Sequence, residues 1–298
     1  MTTTIVSSRA AAPTTAVPAI PLLEPGRTLG VIGAGVMGQT LLRGMLDQQL
    51  VQPDQVWATS RTQSSCDRVA ASLGIAVERD YRHRLANAGI LIFCVKPAQI
   101  TTLLGELRST SLASDAMMIS IAAGVTLDRL EAALGTGHAW IRAMPNTPCV
   151  VGQGMTAICG GTATGPEQIE RARRIFASVG RCVSLDEQHF NAITALSASG
   201  PAYMYLMMEA LADAGVRVGL PRDVALSLVT QTMLGAARMV QETGRHPAAL
   251  RDDVTTPAGC TIGGLLMLED GKIRSVLARA VEEATRIASG LGAPKGAA

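Results

Sequence analysis

Lysine is nearly missing from this 298-residue chain: only Lys96, Lys272 and Lys295 occur, and arginine carries the rest of the positive charge. That skew reads as a coding-sequence bias and points to no function. More informative is the lack of any Lys/Arg run: the net charge is +2 and only 3% of residues are aromatic, so neither a phosphate backbone nor stacked bases has a partner surface, which argues against nucleic acid. The cysteines Cys66, Cys94, Cys149, Cys159, Cys182 and Cys260 form no C-x-x-C, and His83, His138, His189 and His246 are equally scattered, so no metal site is expected. Unpaired thiols in apolar segments fit a cytoplasmic protein. No apolar run approaches the roughly 18 to 20 residues of a membrane span. No signal peptide is expected either, because the short run Ile20-Pro-Leu-Leu is broken by Pro21 and followed by Pro25. Residues 1–28, rich in Ala, Thr, Ser and Pro, are expected to be a disordered tail; their scarcity of acids also suits a transit peptide, their scarcity of Arg does not.

What is present begins at Leu29. Leu29, Val31 and Ile32 make an apolar strand, and Gly33-Ala34-Gly35-Val36-Met37-Gly38 follows at once with the spacing G-x-G-x-x-G. Gly33 permits a tight turn, Gly35 lets the backbone approach a pyrophosphate, and Gly38 lets the next helix lie close to the strand. Met37, Leu41, Leu42, Met45 and Leu46 then recur at helical spacing, so the glycines stand between strand and helix as a dinucleotide site requires. Further apolar runs at 55–58, 75–77, 90–95, 117–121, 139–143, 155–159 and 181–185 alternate with helical patterns, the signature of a doubly wound parallel sheet over 29–186.

Ligands in such sheets gather at the carboxyl ends of strands. The second strand ends in Ser60-Arg61-Thr62, where an NAD site would carry an acid. An arginine among hydroxyls instead suits a 2′-phosphate, so NADPH is expected to be preferred, with NADH possible; the alternative is a solvated arginine in a turn. Val95-Lys96-Pro97, Ala122-Ala123-Gly124 and Asn146 lie at later strand ends and are expected to line the cofactor as a group.

From 187 to 298 the period becomes helical, with segments over 187–198, 202–216, 222–243 and 272–289. The segment 201–216 is apolar around much of its circumference through Tyr203, Met204, Leu206, Met207, Met208 and Leu211, which suggests burial against a second subunit. Between these helices, Val254-Thr-Thr-Pro-Ala-Gly259-Cys260-Thr261 is a small-residue loop running into a helix. The N–H groups of Gly259, Cys260 and Thr261 are expected to converge on an anion such as a carboxylate, although an ordinary capped turn explains part of the pattern.

These motifs together resemble pyrroline-5-carboxylate reductase, from Leu29 to Leu291. The resemblance rests on Gly33 to Gly38, Val95-Lys-Pro97, Ile121-Ala-Ala-Gly124, Arg142-Ala-Met-Pro-Asn-Thr-Pro148, Ser197-Ala-Ser-Gly-Pro-Ala-Tyr203, Gly219-Leu-Pro221 and Val254 to Thr261. It implies a Rossmann-type domain followed by an all-α dimerisation domain with interleaved helices, a homodimer or higher homo-oligomer, and active sites near the interface. It also implies that the loop from Val254 to Thr261 holds the substrate carboxylate and that Thr261 contacts the ring nitrogen. The usual loop pattern is Ser-Pro-Gly-Gly-Thr-Thr, so Ala258 and Cys260 depart from it. Ala258 should matter only if its backbone needs a positive φ. Asp253 stands where some relatives carry Asn. Three competing readings remain. One is a reductase of a related cyclic imine. Another is a β-hydroxyacid dehydrogenase relative, disfavoured because 197–203 lacks the lysine such enzymes use as general acid. The third is a non-catalytic NADP-binding sensor, which would have no need of Thr261.

Overall fold

The computed structural model describes residues 21–291. Its first half is one sheet of eight strands: β1 (Thr28–Ile32), β2 (Val56–Thr59), β3 (Ala76–Glu78), β4 (Ala88–Phe93), β5 (Met117–Ser120), β6 (Trp140–Met144), β7 (Gly154–Gly160) and β8 (Gly180–Ser184), in the order β3-β2-β1-β4-β5-β6-β7-β8. Helices α1 (Val36–Asp47), α2 (Gln63–Leu73), α3 (Pro97–Leu107), α4 (Leu127–Leu134) and α5 (Pro166–Ala177) connect them. The strands alternate their side chains between two cores. Leu29, Val31, Ile90 and Ile92 pack with Leu41, Val69 and Phe176 on one face. Ile32, Leu91 and Phe93 pack with Ile100, Leu104 and Leu130 on the other. Both faces are covered, as central parallel strands require.

Two features depart from the expected plan. The sheet is not wholly parallel: β7 runs antiparallel to β6, with Arg142 opposite Cys159 and Met144 opposite Ala157. A parallel return needs a crossover of about a dozen residues or more, and the short connection between these strands leaves only the antiparallel solution. The expected tail also ends earlier. Residues 1–20 lie outside the described residues, but Leu22 is buried in the first core and Arg27 Nη2 donates to the Ala88 carbonyl at 3.1 Å and pairs with Asp115. Residues 21–28 therefore belong to the folded unit.

The helical half begins at a 3-10 turn (Glu187–His189), α6 (Phe190–Ile193) and a π turn (Thr194–Ala198) in which the Ser199 N–H reaches the Thr194 carbonyl at 2.9 Å. The single helix expected over 187–198 is thus three short pieces. It continues as α7 (Gly200–Arg217), α8 (Arg222–Thr243), α9 (Pro247–Asp253), α10 (Cys260–Asp270) and α11 (Ile273–Gly290); residues 292–298 lie outside the described residues. α7 packs on α8, and α11 packs on α6 and the π turn. Much apolar surface is left uncovered: Leu206 is 66% exposed, Met267 70% and Leu196 66%. No helix among the described residues is long and apolar enough to cross a membrane.

Candidate active site

The glycine turn is built as its spacing demands. Gly33 adopts φ +101°, and a Cβ there would meet the Cys94 carbonyl oxygen at 2.9 Å. A Cβ on Gly38 would stand 2.5 Å from the Gly33 oxygen, so only glycine lets α1 lie this close to β1. The turn is tied to the neighbouring strand by Gly33 N–H to Thr59 Oγ1 at 3.0 Å and Ala34 N–H to the Thr59 carbonyl at 2.7 Å. Around Gly35 the space is open, with no atom within 4 Å of a built Cβ, and no side chain caps the helix. The first-turn N–H groups of Val36, Met37 and Gly38 lack intrahelical partners. An open cradle over uncapped N–H groups fits a pyrophosphate.

Beside this turn lies a groove of about 360 Å³ lined by Ile32, Gly33, Ser60, Arg61, Val95 and residues of α3 and the turn after β3. It brings Gly33, Ser60, Arg61 and Val95 together. Thr62 has a second duty as N-cap of α2, its Oγ1 accepting from the Ser65 N–H at 3.3 Å. The groove also contains Arg79, Tyr81 and Gln99, which sequence reasoning missed. Tyr81 stacks on Trp57 with ring centroids 5.8 Å apart, and burial raises its phenol above the usual range. The available signal was position: each follows a strand end, as the glycines and Arg61 do.

Lys96 stands at the N-cap position of α3 and is exposed, and Ala122 is buried with its N–H on Ser120 Oγ at 3.3 Å. Gly124 follows at φ +74° in a tight turn. Asn146, expected among the cofactor residues, commits both ends of its carboxamide to the protein. Its Oδ1 accepts from the Met155 N–H at 2.9 Å, and its Nδ2 donates to the Ser197 carbonyl at 3.1 Å. It therefore clips the end of β6 to the π turn. A second joint lies alongside. Glu187 Oε1 accepts from Arg142 Nη1 at 2.8 Å and from the Leu127 N–H at 2.7 Å, and the Arg142 guanidinium lies 4.6 Å from the centre of the Phe190 ring. Sheet and helices thus meet at two polar joints beside the ligand edge. Burial, followed by the charge of Glu187, pushes the nearby Cys159 thiol up to about 12, so it stays protonated and acts as apolar filling.

The loop from Val254 to Thr261 stands in the helical half, and its hydrogen bonds are local: Thr255 Oγ1 to the Arg251 carbonyl at 2.7 Å and Gly259 N–H to the Thr256 carbonyl at 3.1 Å. The Gly259 N–H is therefore spent on the turn, which leaves Cys260 and Thr261 as the free donors at the start of α10. A Cβ at 259 would stand 2.4 Å from Thr256 Oγ1, so a larger residue there would have to turn the Thr256 hydroxyl aside. Ala258 does sit at φ 55°, a conformation an L-residue resists. Asp253 is paired with Arg245 at 2.6 Å, and that hydrogen bond holds its carboxyl below the usual range. Val254 and Cys260 are exposed, and Thr261 is half-buried with its hydroxyl making no hydrogen bond among the described residues. Within one chain, nothing from this loop lines the groove at the glycine turn. No cluster of metal-ligating side chains occurs among the described residues.

Comparison with known proteins bears on both halves. A family model described as pyrroline-5-carboxylate reductase dimerisation matches residues 187–291, and one described as NADP oxidoreductase coenzyme F420-dependent matches residues 28–124. The pyrroline-5-carboxylate reductase of Arabidopsis thaliana is 39% identical over 90% of this chain and 96% of that protein. The enzyme of the same name from Schizosaccharomyces pombe is 37% identical over 88% and 98%. Among solved structures, a pyrroline-5-carboxylate reductase from Coxiella burnetii superposes with a TM-score of 0.85 at 34% identity, covering 90% of this chain and all of that one (100%). A Plasmodium falciparum pyrroline carboxylate reductase with NADP bound superposes at 0.79 and 28% identity, covering 90% and 98%.

Proposed function

The chain belongs to the pyrroline-5-carboxylate reductase family, and from that membership we infer that it reduces 1-pyrroline-5-carboxylate to L-proline with NADPH, as a homo-oligomer joined through its helical half. The observation that carries the reading is that both parts of the machinery are present: the glycine turn with Arg61 at its groove, and Gly259, Cys260 and Thr261 at the start of α10. Gly33 to Gly38 hold the pyrophosphate. Ser60, Arg61 and Thr62 hold the 2′-phosphate, and Val95 to Pro97 and Ala122 to Gly124 flank the dinucleotide. The division into a dinucleotide domain, extended back from 29–186 to include residues 21–28, and a helical substrate domain from 187 follows the same partition of roles. Cytoplasmic location accords with unpaired cysteines throughout the described residues.

When bound, the reduced nicotinamide supplies a hydride to the C=N carbon of the ring. The protein contributes placement, which is the main source of acceleration open to a site without a strong acid. The N–H groups of Cys260 and Thr261 hold the carboxylate at the positive end of α10. The Thr261 hydroxyl, free of other hydrogen bonds, orients the ring nitrogen. The proton on that nitrogen arrives with the iminium form of the substrate. Asn146 acts one step back, fixing the π turn against the end of β6.

Thr261→Ala tests this. NADPH affinity should hardly change, while kcat with pyrroline-5-carboxylate should fall by about ten- to a hundredfold, the equivalent of a lost hydrogen bond of about 1–3 kcal/mol. Thr261→Ser should recover part of it. Full kcat in Thr261→Ala would remove the role assigned to the hydroxyl.

A further inference from the structure

The open end of the nucleotide groove holds two arginines, and only Arg61 has a role so far. β2 and β3 are parallel neighbours with Thr59 directly opposite Glu78, so the next residues, Ser60 and Arg79, leave adjacent strand ends side by side. Arg61 and Arg79 both line the groove. Both are exposed, and neither makes a hydrogen bond or ion pair among the described residues. For Arg79 this is unexpected, because acids flank it on either side. Each acid is already engaged elsewhere: Glu78 is paired with Arg84 and lies 3.3 Å from His83, and Asp80 accepts from the Arg82 N–H at 3.3 Å with the Arg82 guanidinium 3.9 Å away. The turn after β3 therefore balances its own charges and leaves one guanidinium over, at the mouth of a groove that already contains another.

We propose that Arg79 is a second holder of the 2′-phosphate, forming with Arg61 a pair of guanidinium groups that selects the phosphorylated dinucleotide. This rests on the NADPH reading given above and extends it. A 2′-phosphate near neutral pH carries close to two negative charges and three acceptor oxygens, more than one planar fork satisfies. A ribose hydroxyl in the same place offers no charge. Arg79 thus discriminates by what it adds to the phosphate-bearing ligand.

The two probes are adenosine 2′,5′-bisphosphate and AMP, which differ only at the 2′ position and lack the nicotinamide. Calorimetric titration of the wild-type oligomer should show tighter binding of the bisphosphate. Arg79→Ala should weaken the bisphosphate by about tenfold or more and AMP far less, and Arg79→Lys, which keeps the charge but loses the fork, should fall between. The gap between wild type and Arg79→Ala should narrow as salt is raised, as for any exposed charge contact. Equal weakening of both probes would place Arg79 on the shared part of the nucleotide and overturn the proposal. So would an unchanged bisphosphate affinity in Arg79→Ala while Arg61→Ala loses it, an outcome that leaves the NADPH reading standing. If the wild type binds both probes alike, the NADPH reading itself fails.

Discussion

Replacing Ala258 by glycine should stabilise the protein, although alanine-to-glycine changes ordinarily do the reverse. The backbone at 258 sits at φ 55°, and the strain of holding an L-residue there is about 1–2 kcal/mol. Glycine removes that strain but gives the unfolded chain more freedom, taking back about 0.4–1 kcal/mol. The net gain is about 1 kcal/mol, equivalent to about 2–4 °C in Tm for a unit of this size. Ala258 is exposed, so no packing is lost with its methyl. The control is Ala71→Gly. Ala71 is an exposed residue inside α2, where the same chemical change should cost about 1 kcal/mol. Thermal and urea unfolding of the three proteins, at equal protomer concentration because oligomers melt by mass action, should place them in the order Ala258→Gly, wild type, Ala71→Gly. If Ala258→Gly is destabilised as much as Ala71→Gly, the loop does not hold position 258 in the left-handed region, and alanine there carries no strain to relieve.

Three further outcomes follow from the joints and the loop. Glu187→Ala should cost about 3 kcal/mol by leaving the buried Arg142 guanidinium and the Leu127 N–H without their acceptor, whereas Glu187→Gln should cost less; urea unfolding of both variants decides this. Asn146→Ala frees the π turn from β6, so kcat should drop by about tenfold while NADPH affinity stays within a factor of about two; a matched loss in both would move Asn146 to the cofactor. Thiol labelling with a maleimide should modify the exposed Cys260 first, since burial raises the thiols of Cys149, Cys159 and Cys182. Proline should slow that labelling, and Cys260→Ser should resist inactivation; inactivation that persists in Cys260→Ser would point to another thiol.

The nucleotide half was legible because its signals are local. Each expected apolar run from 55 to 185 overlaps a strand, with ends off by one or two residues, and the glycines of 33–38 act within their own turn. Strand direction was less legible, since composition does not encode it. The short link between β6 and β7 did, by being too short for a crossover. The composition of residues 1–28, rich in Ala, Thr, Ser and Pro with no hydrophobic period, made 21–28 read as tail, yet one buried leucine and one arginine suffice to fix that stretch. The π turn escaped notice because apolar spacing barely distinguishes a turn widened by one residue. Arg79 and Tyr81 escaped notice for a different reason: register, a property of two strands together, carries them to the groove. At Ala258 the condition under which alanine would matter, a positive φ, was readable beforehand, and the backbone meets it.

The groove is lined by residues between Ile32 and Leu103 of a single chain, while Leu206, Leu266 and Met267 of the helical half remain uncovered. The resemblance implies active sites near the subunit interface, and on that reading a newly made protomer possesses a nucleotide seat before it possesses a reaction chamber. Loading with a hydride donor and gaining the means to discharge it are separate events, the first limited by nucleotide supply and the second by encounter with another copy. On that reading, assembly acts as a safety catch on the reductant. In dilute protein, output per chain should rise with chain concentration even when every groove is filled.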